Sequence, residues 1–430
     1  MATYYCDLAQ DFDDQTGADN TGNEYYGGGG LQAAIWGWGN ATALAAGETL
    51  YCKGTCDLSK LILIEVDVDK SGTWGISDVV QNHNDGGGAN GDDWVGELVY
   101  IDATTIWLQI NAASGDVDDV DTADGIHNVT QADEIAGANM LSAGAPGPQV
   151  GNNSGSTTGW IKFIGCATDW TAGEGVHANH NLTNMAILDG KGKATNCLVI
   201  KVNHVWFESL KCDAASAHNI TTADTTTKNW TFRYCITEDA GNAGIYARYL
   251  TMSNFWFCVF SSNGDYGMQQ PAGGVHLIGC RWTGNTTGAI VSFNAYGVLF
   301  GCGFYDESGF GLDLVQDAQF IANCWFDDVT TDSIQHADAG EYGTVVVGCR
   351  ITNSGAYGID SVSNHITIIE DWNYFDTNAT ADLRNVDAGA NSQVDQGDAN
   401  QGYTDPDNDD YNIADGATMD STEANLWWDV

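Results

Sequence analysis

Seven cysteines set the frame for this chain. Cys212, Cys235, Cys258, Cys280, Cys302, Cys324 and Cys349 follow one another at gaps of 23, 23, 22, 22, 22 and 25 residues. Two positions after a cysteine stand Phe260, Trp282, Phe304 and Phe326, with Ile351 continuing the column. Three positions before stand Phe232, Phe255, Leu277, Leu299, Ile321 and Val346. Ten positions after the last six cysteines stand Ile245, Met268, Ile290, Leu312, Ile334 and Ile359. Each period therefore has one internal layout, and variation in length falls in the stretch before the next cysteine strand. Apolar residues at 0 and +2 share one face of a strand, because side chains alternate. A repeat of 22–25 residues with strand alternation reads as one coil of a β-solenoid. Coils stack about 4.8 Å apart, so like residues form ladders inside the cylinder. The thiols are then small buried apolar groups beside an aromatic stack. Stacked cysteines have parallel Cβ vectors, poorly aimed for disulfides, and no CxxC pair or Cys/His cluster accompanies them.

The composition agrees. There are 53 Gly and only 4 Pro, which suits many tight corners between short strands and excludes collagen-like or polyproline stretches. Earlier coils are less regular: Trp160, Phe163, Ile164 and Cys166 mark one, Met185, Ile187 and Leu188 part of another, and Cys197, Val199 and Ile200 part of a third. The chain divides into a cap and first coil (1–66), a small β-module (67–115), an acidic, Gly-rich connection (116–159), the β-helix proper (160–380) and an acidic C-terminal cap or tail (381–430). Solenoid ends expose unpaired strand edges and need covering. The run Leu31 to Ala46, with Leu31, Ala34 and Ile35 on one face, predicts a helical N-terminal cap, and Gly47-Glu48-Thr49-Leu50-Tyr51-Cys52 the first strand after it. Trp427 and Trp428 are expected to be buried, against the chain or a partner.

The opening Thr3-Tyr4-Tyr5-Cys6-Asp7, the Asp13-Asp14-Gln15-Thr16-Gly17 turn, the capping segment and the Gly47-Glu48-Thr49 strand resemble the start of right-handed β-helix proteins of the pectate-lyase-like superfamily. The closing Gly402-Tyr403-Thr404-Asp405-Pro406 and Asp410-Tyr411-Asn412-Ile413 resemble the end of the same group. The resemblance implies an all-β, right-handed parallel β-helix and leaves the activity open, since this fold carries lyases, hydrolases, adhesins and inert scaffolds. Ser71 to Val80, Val95 to Asp102 and Thr105 to Ile110 read as a small antiparallel module inserted after the first coil, similar to a short module of phage structural proteins.

Charge narrows the partners. Lys+Arg number 14 against 58 Asp+Glu, a formal net charge of −44. Such a surface repels phosphate backbones and anionic membranes. No apolar run approaches the ~20 residues of a membrane helix, and the N-terminus lacks the basic and apolar regions of a signal peptide. Divalent cations and neutral sugars remain suitable ligands. Arg281, Trp325 and Arg350 occupy the +1 column, outside the cylinder, where an Arg–Trp stripe can stack on a glycan. Asp67, Asp69, Ser71 and Asp78 mimic the spacing of a Ca²⁺ loop, although a strand-like Leu61–Ile64 precedes them where a helix is usual. Asp116, Asp118, Asp119, Asp121 and Asp124, and Asp405, Asp407, Asp409 and Asp410, are further acidic clusters. Ca²⁺ is the one cofactor these admit. Asp327-Asp328 is a carboxylate pair, but the Gly-His-Gly and Arg-x-Lys of polygalacturonase-like enzymes are missing, so no catalytic residue is assigned.

The expectation from sequence is a non-enzymatic structural protein on the surface of a phage particle: a decoration, fibre or spike component. It would assemble with other virion proteins or with itself, as a homo-oligomer such as a trimer, and meet cell-surface polysaccharide outside the host. The rivals are a polysaccharide-degrading tailspike depolymerase or lyase, and a bacterial surface adhesin or filament subunit.

Overall fold

In the computed structural model, the described residues are 3–8, 46–75, 78–83, 93–110, 115–150, 159–166, 185–222, 227–248, 250–271, 273–293, 296–315, 318–336, 343–361, 368–392, 403–405 and 410–413. The chain divides into two compact units, Met1–Thr227 with Glu238–Gly241, and Lys228–Thr237 with Asn242–Val430.

The second unit is a parallel β-helix of seven coils among the described residues, counted from Trp230–Arg233 to Ile368–Asp371. Three short strands make each coil, as in His276–Ile278, Arg281–Thr283 and Gly288–Phe293. The sequence columns are register partners. Phe232, Phe255, Leu277, Leu299, Ile321 and Val346 pair in series. So do Phe260, Trp282, Phe304, Phe326 and Ile351, and Ile245, Met268, Ile290, Leu312, Ile334 and Ile359. The aromatic column is a true stack: ring centroids lie 4.8, 4.7 and 4.5 Å apart from Phe260 to Phe326, at interplanar angles of 12°, 5° and 4°. Such pairs each add about 0.5–1.5 kcal/mol beyond the area they bury.

One residue turns each corner. Tyr234, Phe257, Gly279, Gly301, Asn323, Gly348 and Trp372, each two positions before the first residue of the second strand, all take φ between 52° and 64°. Ser262, Gly284, Asn353 and Thr377 immediately after it, and Asp306 and Asp328 near its end, do the same at φ 50–65°. A single left-handed residue bends the chain without breaking the ladder on either side.

Inside the second corner runs a polar ladder. Asn285 accepts from Asn263 Nδ2 at 2.8 Å, and its own Nδ2 donates to the Phe260 carbonyl at 3.1 Å and to Glu307 Oε1 at 3.0 Å. Asn263, Asn285 and Glu307 are fully buried, so the ladder satisfies polar groups that water cannot reach.

The cysteine column is structural from Cys235 to Cys349, with every member buried and free. Cys280 and Cys302 donate to the carbonyls of Phe255 and Leu277, each at 3.3 Å. Burial pushes the thiols of Cys324 and Cys349 well above the ordinary range, which makes them unreactive. Cys212 departs from the expected ladder. It lies in the first unit and shares its column with Leu188 and Cys56, because the Ala214 N–H to Glu238 carbonyl bond sets Asp213 opposite Glu238. That register is two positions out of step with the one the cysteine spacing implies.

The first unit carries parallel coils and an antiparallel sheet. Thr3–Asp7, Thr49–Lys53, Ile161–Gly165 and Val205–Glu208 form one parallel ladder. Thr55–Asp57, Ala186–Asp189 and Leu210–Asp213 form a second. The antiparallel sheet has seven strands, from Leu61–Val66 to Met140–Gly144. It is larger than the expected 67–115, and takes in much of the segment read as a connection, because Ile126–Asn128 and Asp133–Ile135 form a hairpin that pairs with Val79–Asn82. Its core holds Trp74, Trp94, Leu98, Trp107 and Ile126.

The expected cap helix falls on residues outside the described ones, apart from Ala46. Among the described residues the only helical turns are three short 3-10 segments. The last coil runs beyond 380, since Ala381–Arg384 pairs with Tyr357–Ser361. A two-stranded ribbon, Tyr403–Asp405 with Asp410–Ile413, follows. Trp427 and Trp428 lie outside the described residues, as do Asp407 and Asp409.

Candidate functional site

Outward positions on the second strand of each coil carry the polar chemistry. In the second unit, Arg281, Gly303, Trp325, Arg350 and Tyr374 are register partners in that order. The structure thus aligns Arg281, Trp325 and Arg350 in one column. The Arg281 guanidinium lies 4.3 Å from the Tyr305 ring centre. Trp325 leans across Gly303, where an added Cβ would come within 3.0 Å of its ring. Arg350, however, is only 6% exposed and Tyr374 2%, with the guanidinium 5.0 Å from the phenol ring. The stripe is closed at this end, and Arg350 packs against the chain where sequence suggested open surface. Beside it Asp327 is buried, its Oδ1 accepting from Thr352 Oγ1 at 2.6 Å and Asn353 Nδ2 at 2.8 Å. Burial raises its pKa above the usual carboxylate range. Its neighbour Asp328 is exposed, at φ 50°.

The proposed Ca²⁺ loop does not converge. Asp69 Oδ1 is occupied by the backbone N–H and hydroxyl of Ser71, at 2.9 and 2.6 Å. Asp78 is buried and accepts from Gly75 N at 2.8 Å, Asn128 Nδ2 at 2.8 Å and Gln131 Nε2 at 3.2 Å. Asp67, Asp69 and Asp78 do not come within 4.8 Å of one another. Asp69 stabilises a turn, and Asp78 the start of the antiparallel sheet.

A site that sequence reading missed lies in the first unit. Asp57, Asp189 and Asp213 are stacked register partners on the outward side of their strands. Lys211, two residues before Asp213 and on the same side, is held between Asp213 Oδ2 at 3.0 Å and Glu238 Oε2 at 2.5 Å. Its side chain is 11% exposed, against 35% for Glu238. Burial works against the ammonium, but hydrogen bonds to Glu238 and Asp213 and their charges outweigh it, raising the Lys211 pKa. Lys191 pairs with Asp189 at 2.5 Å and is likewise raised, first by that hydrogen bond. Asp239 follows at the corner, exposed and at φ 55°. Burial of its carboxyl and the charges of Glu238 and Asp213 raise its pKa, and Lys211 opposes them. The arrangement is a fixed cation beside an exposed carboxylate of increased basicity. It can neutralise an anionic group while a neighbouring proton is taken. Among the described residues no three of these carboxylates gather within 4.8 Å, and Lys191 and Lys211 pair with Asp189, Asp213 and Glu238.

With this geometry in view, the comparisons define the class of fold. A family model described as a right-handed β-helix region matches residues 219–372. No curated protein sequence matches the chain. Among solved structures, it is similar to the pectate lyase Pel9A, with a TM-score of 0.57 and 12% identity over 98% of this chain and 90% of that one. It is also similar to a rhamnogalacturonan lyase, with a TM-score of 0.49 and 11% identity over 100% of this chain and 99% of that one. ORF18 of Geobacillus virus E2 matches with a TM-score of 0.36 and 12% identity, over 58% of this chain and 49% of that one. The chain has the fold of the right-handed parallel β-helix proteins.

Proposed function

We propose that the chain is a polysaccharide-degrading enzyme of the lyase type, acting on an acidic glycan at the Lys211 cluster. The observation that carries this reading is the clamped ammonium of Lys211 beside the exposed, more basic Asp239. β-Elimination from a uronate needs a cation on the sugar carboxyl, to stabilise the charge that develops when the adjacent carbon loses its proton, and a base to take that proton. Lys211 fits the first role and Asp239 the second. The fold shared with a pectate lyase supports the reading without assigning the residues. With −44 net charge, the protein meets a polyanion against long-range repulsion, so turnover should rise with ionic strength at low salt.

The test is a panel of uronate-containing bacterial and algal polysaccharides, with and without Ca²⁺, followed by the ultraviolet absorbance of unsaturated ends and by new reducing ends. Unsaturated products are expected. Asp239→Asn should lower kcat by about 10²–10⁴-fold, and Lys211→Gln should lower kcat/KM while circular dichroism stays unchanged. Reducing ends without unsaturation would make it a hydrolase. Silence on every glycan would overturn the enzymatic reading and return the chain to a particle-surface scaffold.

A further inference from the structure

The antiparallel sheet of the first unit holds a cluster unrelated to the Lys211 site. His127 and Glu134 stand directly opposite on Ile126–Asn128 and Asp133–Ile135. Gln81 is the partner of His127 on the other flank, and His83, two residues on, falls on the same side of the sheet. The backbone N–H of His83 bonds the Gly125 carbonyl at 3.1 Å, which holds the end of that strand in place. Three side chains from three strands thus converge. His83 Nε2 lies 3.2 Å from Glu134 Oε2, and the two imidazole centroids are 6.2 Å apart with planes tilted by 32°. One ligand atom from each residue fits within a mutual spread of 4.8 Å. The Nδ1 of His127 is buried without a hydrogen-bond partner. An orphaned ring nitrogen costs free energy unless something pairs with it.

We infer that His83, His127 and Glu134 form a binding site for a divalent transition metal of the zinc type. Two imidazoles and a carboxylate are the donor set of three-ligand zinc sites, which leave a fourth position to water. Imidazole donors disfavour Ca²⁺ and Mg²⁺, which prefer all-oxygen shells. Glu134, 54% exposed, leaves the site open to solvent, while His83 at 19% anchors it. The site would cross-link three strands of the antiparallel sheet, among them the hairpin at its edge. Without a metal, His83 still meets Glu134, but His127 Nδ1 is left unsatisfied.

The experiment uses tag-free full-length chain stripped with chelator, titrated calorimetrically with Zn²⁺ and spectroscopically with Co²⁺. One equivalent of Zn²⁺ should bind, raising the thermal midpoint. Co²⁺ should give intense visible bands of a tetrahedral site, lost when Zn²⁺ is added. His127→Gln and the exposed-site variant Glu134→Gln should each weaken Zn²⁺ at least about ten-fold, with unchanged circular dichroism. Absence of saturable Zn²⁺ and Co²⁺ binding to the wild-type chain would overturn the inference. So would variants that bind Zn²⁺ as tightly as the wild type, or equal competition by Ca²⁺.

Discussion

Glu307 is the residue whose setting most plainly departs from that of an ordinary carboxylate. It continues the ladder begun by Asn263 and Asn285, is fully buried, and has one oxygen without a hydrogen-bond partner. Burial raises its pKa well above the usual range, against the opposing hydrogen bond from Asn285. The sign of the linkage follows. A carboxyl whose folded pKa lies above its unfolded value of about 4.3 stabilises most at acid pH, and that contribution is lost as pH rises toward the folded pKa. Glu307→Gln removes the titration and keeps the acceptor for Asn285. The variant should therefore melt above the wild type near neutral pH, with the gap closing below about pH 4. Thermal midpoints across that range decide it; a gap independent of pH would show that Glu307 is not protonated in the fold.

At the scale of elements, the corners carry the architecture. Gly301 takes φ 62° before Cys302, and an added Cβ would meet nothing within 4 Å. Gly301→Ala therefore isolates the backbone cost of a left-handed corner and should destabilise by about 1–2 kcal/mol, measured by the denaturant midpoint. The sequence made the coils of the second unit legible because the six from Cys235 to Cys349 keep the cysteine, +2 and +10 positions in fixed register, so periodicity and pairing coincide. In the first unit that coincidence fails. Cys212 matches the period but sits opposite a different column, as the bond from Ala214 N–H to the Glu238 carbonyl shows. The Lys211 cluster was hidden for the same reason. Its charges meet between coils whose register only the fold reveals, and Glu238 lies 27 residues from Lys211 in the chain. The histidine cluster was hidden by antiparallel pairing, which joins residues 44 apart, His83 and His127, with no repeat to announce it. Where acidic spacing did announce a site, at Asp67, Asp69 and Asp78, the Asp69 carboxylate was consumed by a local turn and that of Asp78 by Asn128 and Gln131.

At the scale of the whole molecule, an excess of 44 negative charges is a standing repulsion, and few cations offset it. Several of these are committed locally: Lys70 to Asp133, Lys193 to Asp116 and Asp118, Arg384 to Asp360. Raising NaCl from about 0.01 to 0.15 M shortens the screening length from about 30 to 8 Å. The thermal midpoint should rise over that interval. A flat or falling midpoint would mean that specific pairs of this kind outweigh the general repulsion.

The two corner glycines Gly279 and Gly301 share one backbone conformation, at φ 61° and 62°, each immediately before a ladder cysteine. Between them lies a segment, 280–301, of 22 residues. Excising it would join Gly279 to Cys302 with the chain entering the strand as it does now, and would bring Phe260 against Phe304 in place of Trp282. Within this unit, length is a quantity the gene can change by whole coils without inventing a new junction.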